Sequence, residues 1–310
     1  MPSLPWIPVN DFALASGWLD ASQSNERARW YCEQLEEGQI LLFHTFPYDF
    51  PEHDRQFILS QRWAEARLHK NVSYRPTQDV LRGFSGDQPS LSEMQRVMRS
   101  YSAQVIQFLA RFLLPYAGRW SLDFASFRPL EEEGRQLPLH KRNDLLHVDA
   151  FPSRPTRGSR ILRVFTNLHP TKARVWLTTD RFGELAKRFA FEAGLPQLAG
   201  GGSFLRRKLL QLGRALGFPG GDRSPYDRFM LRFHDYLKEN SAFQADCPKY
   251  KLEFPPLATW LVFSDGVPHA VVSGQFALEQ TVLVHPSALV APQHAPIRVL
   301  ESLCGCPLSG

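Results

Sequence analysis

Cysteine is scarce in this chain, with 4 in 310 residues, scattered at Cys32, Cys247, Cys304 and Cys306. That number and spacing exclude a disulfide framework as the basis of the fold and lead to the expectation of a reducing compartment. The Cys304-Gly305-Cys306 pair reads as a frayed tail rather than a metal site. No run approaches the roughly 20 consecutive apolar residues of a membrane span. The opening MPSLPWIPVND also lacks the basic start and long apolar stretch of a secretory signal. The expectation is a soluble cytoplasmic protein that at most lies on a membrane surface. No internal repeat is visible, and the glycine-rich AGGGS lacks the Gly-Lys-Ser/Thr of a phosphate loop, so it reads as a hinge.

What is present describes a globular chain. With 43% hydrophobic and 22% charged residues, it can bury a substantial core, here read as a single domain over 1–310. Lysine and arginine outnumber aspartate and glutamate by 36 to 31, and a pI near 9.1 favours acidic partners. No nucleic-acid-binding motif accompanies that charge, so nucleic acid is not an expected partner.

The first 119 residues read as mixed and largely helical. Their clearest element starts at Ser90, where Ser90 and Glu93 form an apparent capping box. Met94, Val97, Met98, Val105, Ile106, Leu109 and Leu113 then recur at three-and-four spacing until Pro115 and Gly118 end the helix. Beyond residue 120 come short strand-like pieces: DLLHVDAF, RILRVFTNL, ARVWLTT, TWLVFSD, HAVVSG and FALEQTVLVH. They fall into two groups, 120–180 and 250–290, around a helical insertion over 181–249. Strands interrupted by a helical insertion and preceded by a helical region predict an α+β fold, a double-stranded β-helix or jelly roll with a helical buttress. Within the insertion, GSFLRRKLLQLGRALGF has the basic amphipathic character of a helix that can lie on an anionic bilayer, or equally of one that covers the barrel.

Within NDLLHVDAF, His147 and Asp149 stand two apart, which on a strand puts both on one side, able to reach one metal ion. A third ligand must come from a distant strand. His269 in FSDGVPHAVVSG is the candidate, with His285 in VLVHPS as its rival; His140, His169 and His234 lack a partner at ligand spacing. Two imidazoles and a carboxylate with open positions are the donor set of non-haem iron(II) oxygenases, although zinc with the same ligands would be hydrolytic. Oxygenases that use 2-oxoglutarate need a cation for its distal carboxylate, and a guanidinium matches it with two parallel hydrogen bonds. Arg163, flanked by apolar residues in ILRVF, fills that role, with Asn167 on the same strand face and Arg160 of opposite parity held in reserve. Asp265 reads as orienting a turn.

The stretches RNDLLHVDAFPSRPTRGSRILRVFTNLHP, RFHDYLKENSAFQ and TWLVFSDGVPHAVVSGQFALEQT together resemble the Kdo hydroxylase family, from about residue 120 to 290. The resemblance implies an iron(II)/2-oxoglutarate dioxygenase that uses O2. It would hydroxylate C3 of a 3-deoxy-D-manno-oct-2-ulosonic acid (Kdo) residue on lipid A, releasing succinate and carbon dioxide, with ascorbate an optional reductant. It also implies that His147, Asp149 and His269 are the metal ligands. Many 2-oxoglutarate enzymes carry the carboxylate-binding cation about ten residues past the distal histidine. FALEQT has none there, which leaves Arg163, with Thr281 as a hydroxyl partner. A carboxylated sugar on a phosphorylated lipid calls for a cationic rim, for which Arg128, Arg142, Asn143, Arg154 and Arg157 are candidates. Two other readings stand beside this one: the same chemistry on another lipid or a small metabolite, and a non-catalytic jelly-roll module that binds acidic glycolipid.

Overall fold

The computed structural model describes residues 5–14, 17–61, 71–199 and 223–309. Its strands are β1 (Trp6–Pro8), β2 (Phe12–Ala13), β3 (Gly17–Trp18), β4 (Ile40–Phe43), β5 (Val72–Arg75), β6 (Val80–Arg82), β7 (Trp120–Arg128), β8 (Arg160–Asn167), β9 (Arg174–Thr178), β10 (Tyr250–Phe254), β11 (Thr259–Phe263), β12 (His269–Ser273) and β13 (Ala277–Val284). The helices are α1 (Ser24–Glu36), α2 (Glu52–Ser60), α3 (Gln88–Phe112), α4 (Phe182–Phe189), α5 (Leu195–Ala199), α6 (Pro225–Glu239), α7 (Ser241–Asp246) and α8 (Pro296–Cys304). An eight-stranded sheet, in the order β1-β4-β11-β8-β13-β7-β5-β6, faces a three-stranded sheet, β10-β9-β12. This is the expected α+β jelly-roll core. The N-terminal region is less helical than the sequence suggested, since β1, β4, β5 and β6 all extend the large sheet. β4 escaped notice because ILLF is buried on every residue and so shows no alternation to mark it as a strand.

Helix α3 covers the outer face of the large sheet. Its buried Met94, Val97, Met98, Tyr101, Val105, Phe108, Leu109 and Phe112 meet Leu162 and Val164 of β8, Leu261 and Phe263 of β11, and Leu278 and Val282 of β13. The helix starts earlier than the capping-box reading placed it. Asp87 is the N-cap and accepts from Ser90 N at 2.9 Å, while Glu93 pairs with Arg96 instead of closing a box. Asp87 is followed by Gln88 and Pro89, and proline fits the first turn because its missing N–H would be unpaired there anyway.

The inner faces of the two sheets enclose a second core, where Trp260 stacks on Phe254 at 3.9 Å and Phe165 meets Trp176 edge-on at 4.9 Å. A third core joins the insertion to α8 and includes Leu146 and Val148 from the segment that precedes β8 and Ala270 from β12. The basic stretch 203–219 lies outside the described residues. The C-terminal segment is docked, contrary to expectation: Leu308 is fully buried, its N–H donates to Glu301 and its carbonyl accepts from Tyr226 N. Among the described residues, no helix is long and apolar enough to cross a membrane.

Candidate metal centre

The segment carrying His147 and Asp149 was expected to be a full strand, yet it forms a single bridge with β12, His147 to His269. One of its edges is satisfied by main chain: His147 and His269 exchange N–H···O bonds of 3.1 and 2.9 Å, Val271 N donates to Asn143 O, and Asp149 N donates to Ser264 O. Its other edge is satisfied by side chains from the insertion. Gln244 receives from Leu146 N at 3.0 Å and donates to Leu146 O at 2.9 Å, and His234 Nδ1 donates to Val148 O at 2.8 Å. Farther along the loop, Asp227 accepts from Thr156 N and Arg157 N. Buried main-chain groups need such partners, and here helices α6 and α7 supply what a neighbouring strand would supply in a continuous sheet.

The bridge brings the two histidines together, and one donor atom each from His147, Asp149 and His269 lies within 4.8 Å of the others. The Nδ1 of His147 faces Leu145 O at 2.7 Å and that of His269 faces Val267 O at 2.9 Å. With Nδ1–H held by a carbonyl, the Nε2 lone pairs are left for a metal. His269 also stacks on Trp176 at 5.0 Å. Burial holds both imidazoles below the usual histidine range, His147 further lowered by His269 beside it, so both are neutral, as ligation requires. Burial pushes the Asp149 carboxyl up, but the Arg163 guanidinium beside it outweighs burial and holds the group ionised. Asp149 Oδ2 lies 3.0 Å from Arg163 Nε yet is a buried acceptor without an aligned hydrogen bond. A buried carboxylate oxygen and two free imidazole nitrogens fit a divalent cation of the iron type.

Beside the triad lies a charge cluster inside the sandwich. Arg163 donates to Glu279 Oε1 at 2.7 Å, Arg128 Nε donates to Glu279 Oε2 at 2.9 Å, and Thr281 Oγ1 donates to Glu279 Oε1 at 3.0 Å. Arg174 on β9, 1% exposed, donates to Gly274 O and lies 3.8 Å from Glu132. Burial, and Arg128 nearby, push the Arg174 guanidinium down to about 10, and its Nε is buried without a hydrogen-bond partner. Glu279 stands where many 2-oxoglutarate enzymes carry a cation, so the positive charge arrives instead from β7, β8 and β9.

Not every residue read from the sequence joins this cluster. Arg160 points to the opposite face of β8, pairs with Asp265 at 2.9 Å and covers Phe263 at 4.2 Å. Asn167 is committed to structure: its Nδ2 faces the carbonyls of Lys172, Phe254 and Pro255 and its Oδ1 accepts from His169 N. Arg142 pairs with Asp144 at the surface. Arg157 is exposed, with a positive φ of 53°. Asn143 Nδ2 lies 3.3 Å from both Glu132 oxygens, and Arg154 pairs with Asp123 at 3.2 Å. His285 caps the turn at Pro286–Ala288, which removes it as a rival ligand. The sequence reading missed Glu279, Arg174 and Gln244, and it set His234 aside as a ligand, in keeping with that ring's bond to Val148 O. Glu279 and Arg174 did carry a signal, a charged residue inside an otherwise apolar strand.

A family model described as 3-deoxy-D-manno-oct-2-ulosonic acid (Kdo) hydroxylase matches residues 18–307. Among solved structures, the chain is similar to the apo form of the Kdo hydroxylase KdoO, described as a non-heme Fe(II) alphaketoglutarate dependent dioxygenase. The two share 32% identity with a TM-score of 0.83, covering 98% of this chain and 97% of that one. KdoO in complex with alphaketoglutarate and Fe(III) matches with the same figures, and its cobalt(II) complex has 32% identity and a TM-score of 0.84 over 99% and 98% of the two chains. No curated protein matches the chain in sequence.

Proposed function

Because the chain belongs to the Kdo hydroxylase family, we propose that it is an iron(II)- and 2-oxoglutarate-dependent dioxygenase that hydroxylates C3 of a Kdo residue carried on lipid A. The observation that carries this reading is the convergence of His147, Asp149 and His269. Bound iron, 2-oxoglutarate and O2 supply the oxidising chemistry, and the chain supplies position, charge and a dry site. His147 and His269 offer neutral nitrogens, and Asp149 offers the single negative charge. Arg163, with Arg128 and Arg174, is the candidate to receive the distal carboxylate of 2-oxoglutarate, and Thr281 is close enough to Glu279 to share that duty. The hydrogen bond to Glu279 already fixes the direction in which the Arg163 guanidinium faces, and its planar fork suits a second carboxylate. We assign one domain to residues 1–310, and peripheral contact with an anionic membrane remains part of this proposal through the basic stretch at 203–219.

The test is incubation of Kdo–lipid A with the protein, iron(II) and 2-oxoglutarate. The expected result is a mass gain of one oxygen on the sugar, matched by succinate and abolished in His147→Ala, Asp149→Ala and His269→Ala. Undiminished turnover in those three variants would remove the assigned centre. Succinate formed with another lipid, but no oxygen on Kdo, would leave the chemistry and overturn the substrate.

A further inference from the structure

One region of the site face has more positive charge than its neighbours balance. β13 passes β7 with a shift in register, Gln280 opposite Ala125 but Val282 opposite Leu122. Asp123 and Phe124 therefore share the place across from Thr281, and such a bulge re-aims side chains. On the neighbouring β5, Val72 and Tyr74 belong to the core beneath α3, so Arg75 is on the opposite face, the one that carries Phe124. Arg75 Cζ lies 4.8 Å from the centre of the Phe124 ring. Arg154, five residues beyond Asp149 in the chain, lies 4.1 Å from Phe124 and 4.5 Å from Phe151, and Arg163 lies 5.7 Å from the same Phe151 ring. This chain of ring contacts runs from Arg75 to the residue that faces Asp149.

The charge balance decides what the region can hold. Asp123 pairs with Arg154, while among the described residues no ion pair is recorded for Arg75. The Nε of Arg75 and the Nε of Arg154 are both buried without a hydrogen-bond partner. Aromatic rings position the two guanidiniums without consuming their N–H groups. Two donors left open beside one surplus positive charge suit an oxyanion.

We propose that Arg75 and Arg154, set on Phe124 and Phe151, form a clamp for the carboxylate of the sugar. This rests on the function proposed above. In a 3-deoxy-2-ulosonic acid the carboxylate is C1, two bonds from C3, so a group that grips it also fixes which carbon faces the metal. The phosphates of lipid A lie on other sugar units and are the competing source of an oxyanion.

The test compares Kdo–lipid A with the same glycolipid carrying its C1 carboxylate as a primary amide, and with dephosphorylated Kdo–lipid A. The wild type should lose roughly 10–100-fold in kcat/KM on the amide, the size expected for charged hydrogen bonds. Arg75→Gln should lose a similar factor on the native glycolipid, mainly as a rise in KM, and should scarcely distinguish acid from amide. Arg75→Lys should recover part of the loss. Arg75 is the primary site because Arg154→Gln would strand buried Asp123, and the melting temperature checks that each variant folds. A wild type indifferent to the amide, or an Arg75→Gln protein that discriminates as well as wild type, overturns the clamp. Discrimination lost only against the dephosphorylated lipid reassigns it to phosphate and overturns the carboxylate. If the wild type oxidises no Kdo glycolipid, the activity reading falls by itself. Titration of free Kdo and its amide into the cobalt(II)-loaded protein then decides the clamp by the same acid-to-amide ratio, and equal affinities overturn it.

Discussion

On β8, Leu162 and Val164 pack beneath α3 among aliphatic and aromatic side chains, whereas Arg163 between them faces Asp149 and Glu279 inside the sandwich. The outer face gains stability from apolar area removed from water, which is non-directional and tolerant of similar shapes. The inner face contains charges whose desolvation is offset only while every partner is present. One strand thus carries a face selected for filling and a face selected for position. A fold needs only the first kind, and the second is what the function proposed above would account for.

The largest stability effect should come from unbalancing the inner face. Glu279→Leu leaves Arg128 and Arg163 facing each other without their shared carboxylate, and should cost about 3–5 kcal/mol in denaturant unfolding, the range for breaking one side of a buried pair. A loss under about 1 kcal/mol would mean that the cluster is solvated and the contrast between the faces is false. On the outer face, Leu109→Ala should cost about 3 kcal/mol through lost burial and the cavity left behind. It should leave cobalt(II) affinity near the wild-type value, because α3 touches the sheet and not the triad. A matching fall in metal affinity would show that the two faces are mechanically coupled.

The metal loop allows a smaller and sharper comparison, between its edge on β12 and its edge on the insertion. Gln244→Ala removes both side-chain bonds to Leu146, and should weaken cobalt(II) binding by roughly 10–100-fold, the usual cost of losing a group that orients a ligand. Gln244→Glu keeps an acceptor for Leu146 N but loses the donor to Leu146 O, and should fall between. Metal affinity unchanged in Gln244→Ala would mean that the bridge to His269 positions His147 unaided.

Much of this was legible in the sequence because of strand periodicity. The two-residue spacing of His147 and Asp149, the placement of His269 in a second strand group, and the inward parity of Arg163 against the outward parity of Arg160 all follow from side chains alternating across a strand. The same rule carried Asn167 inward correctly but gave no hint that its amide would be consumed by three carbonyls. Residues 144–151 looked like a strand because Leu145, His147, Val148 and Phe151 have strand character. Which neighbour satisfies their main chain is a tertiary fact, and here it is Gln244, almost a hundred residues away. Arg75 escaped for a related reason. VSYR shows its alternation plainly, but nothing local says that β5 joins β7 and brings Arg75 to Phe124. Edge strand β10 escaped because in YKLEF the polar residues of its outer side dilute the apolar signal.

The smallest expected effect separates holding the insertion together from holding the loop. Ser224 caps α6, accepting from Asp227 N at 3.1 Å while its hydroxyl donates to Asp227 Oδ2 at 2.7 Å. Asp227 in turn receives the loop N–H groups of Thr156 and Arg157 through Oδ1. Ser224→Ala removes the cap and should cost about 1 kcal/mol of stability, yet Oδ1 keeps its two loop donors, so cobalt(II) affinity should change less than about twofold. Asp227→Asn at the same helix end keeps the shape but discards the charge that those loop N–H groups prefer, and should affect the metal more than the cap variant does. If Ser224→Ala weakened the metal as much as Asp227→Asn, the loop would be responding to the helix as a whole, and the individual side-chain anchors would lose their special standing.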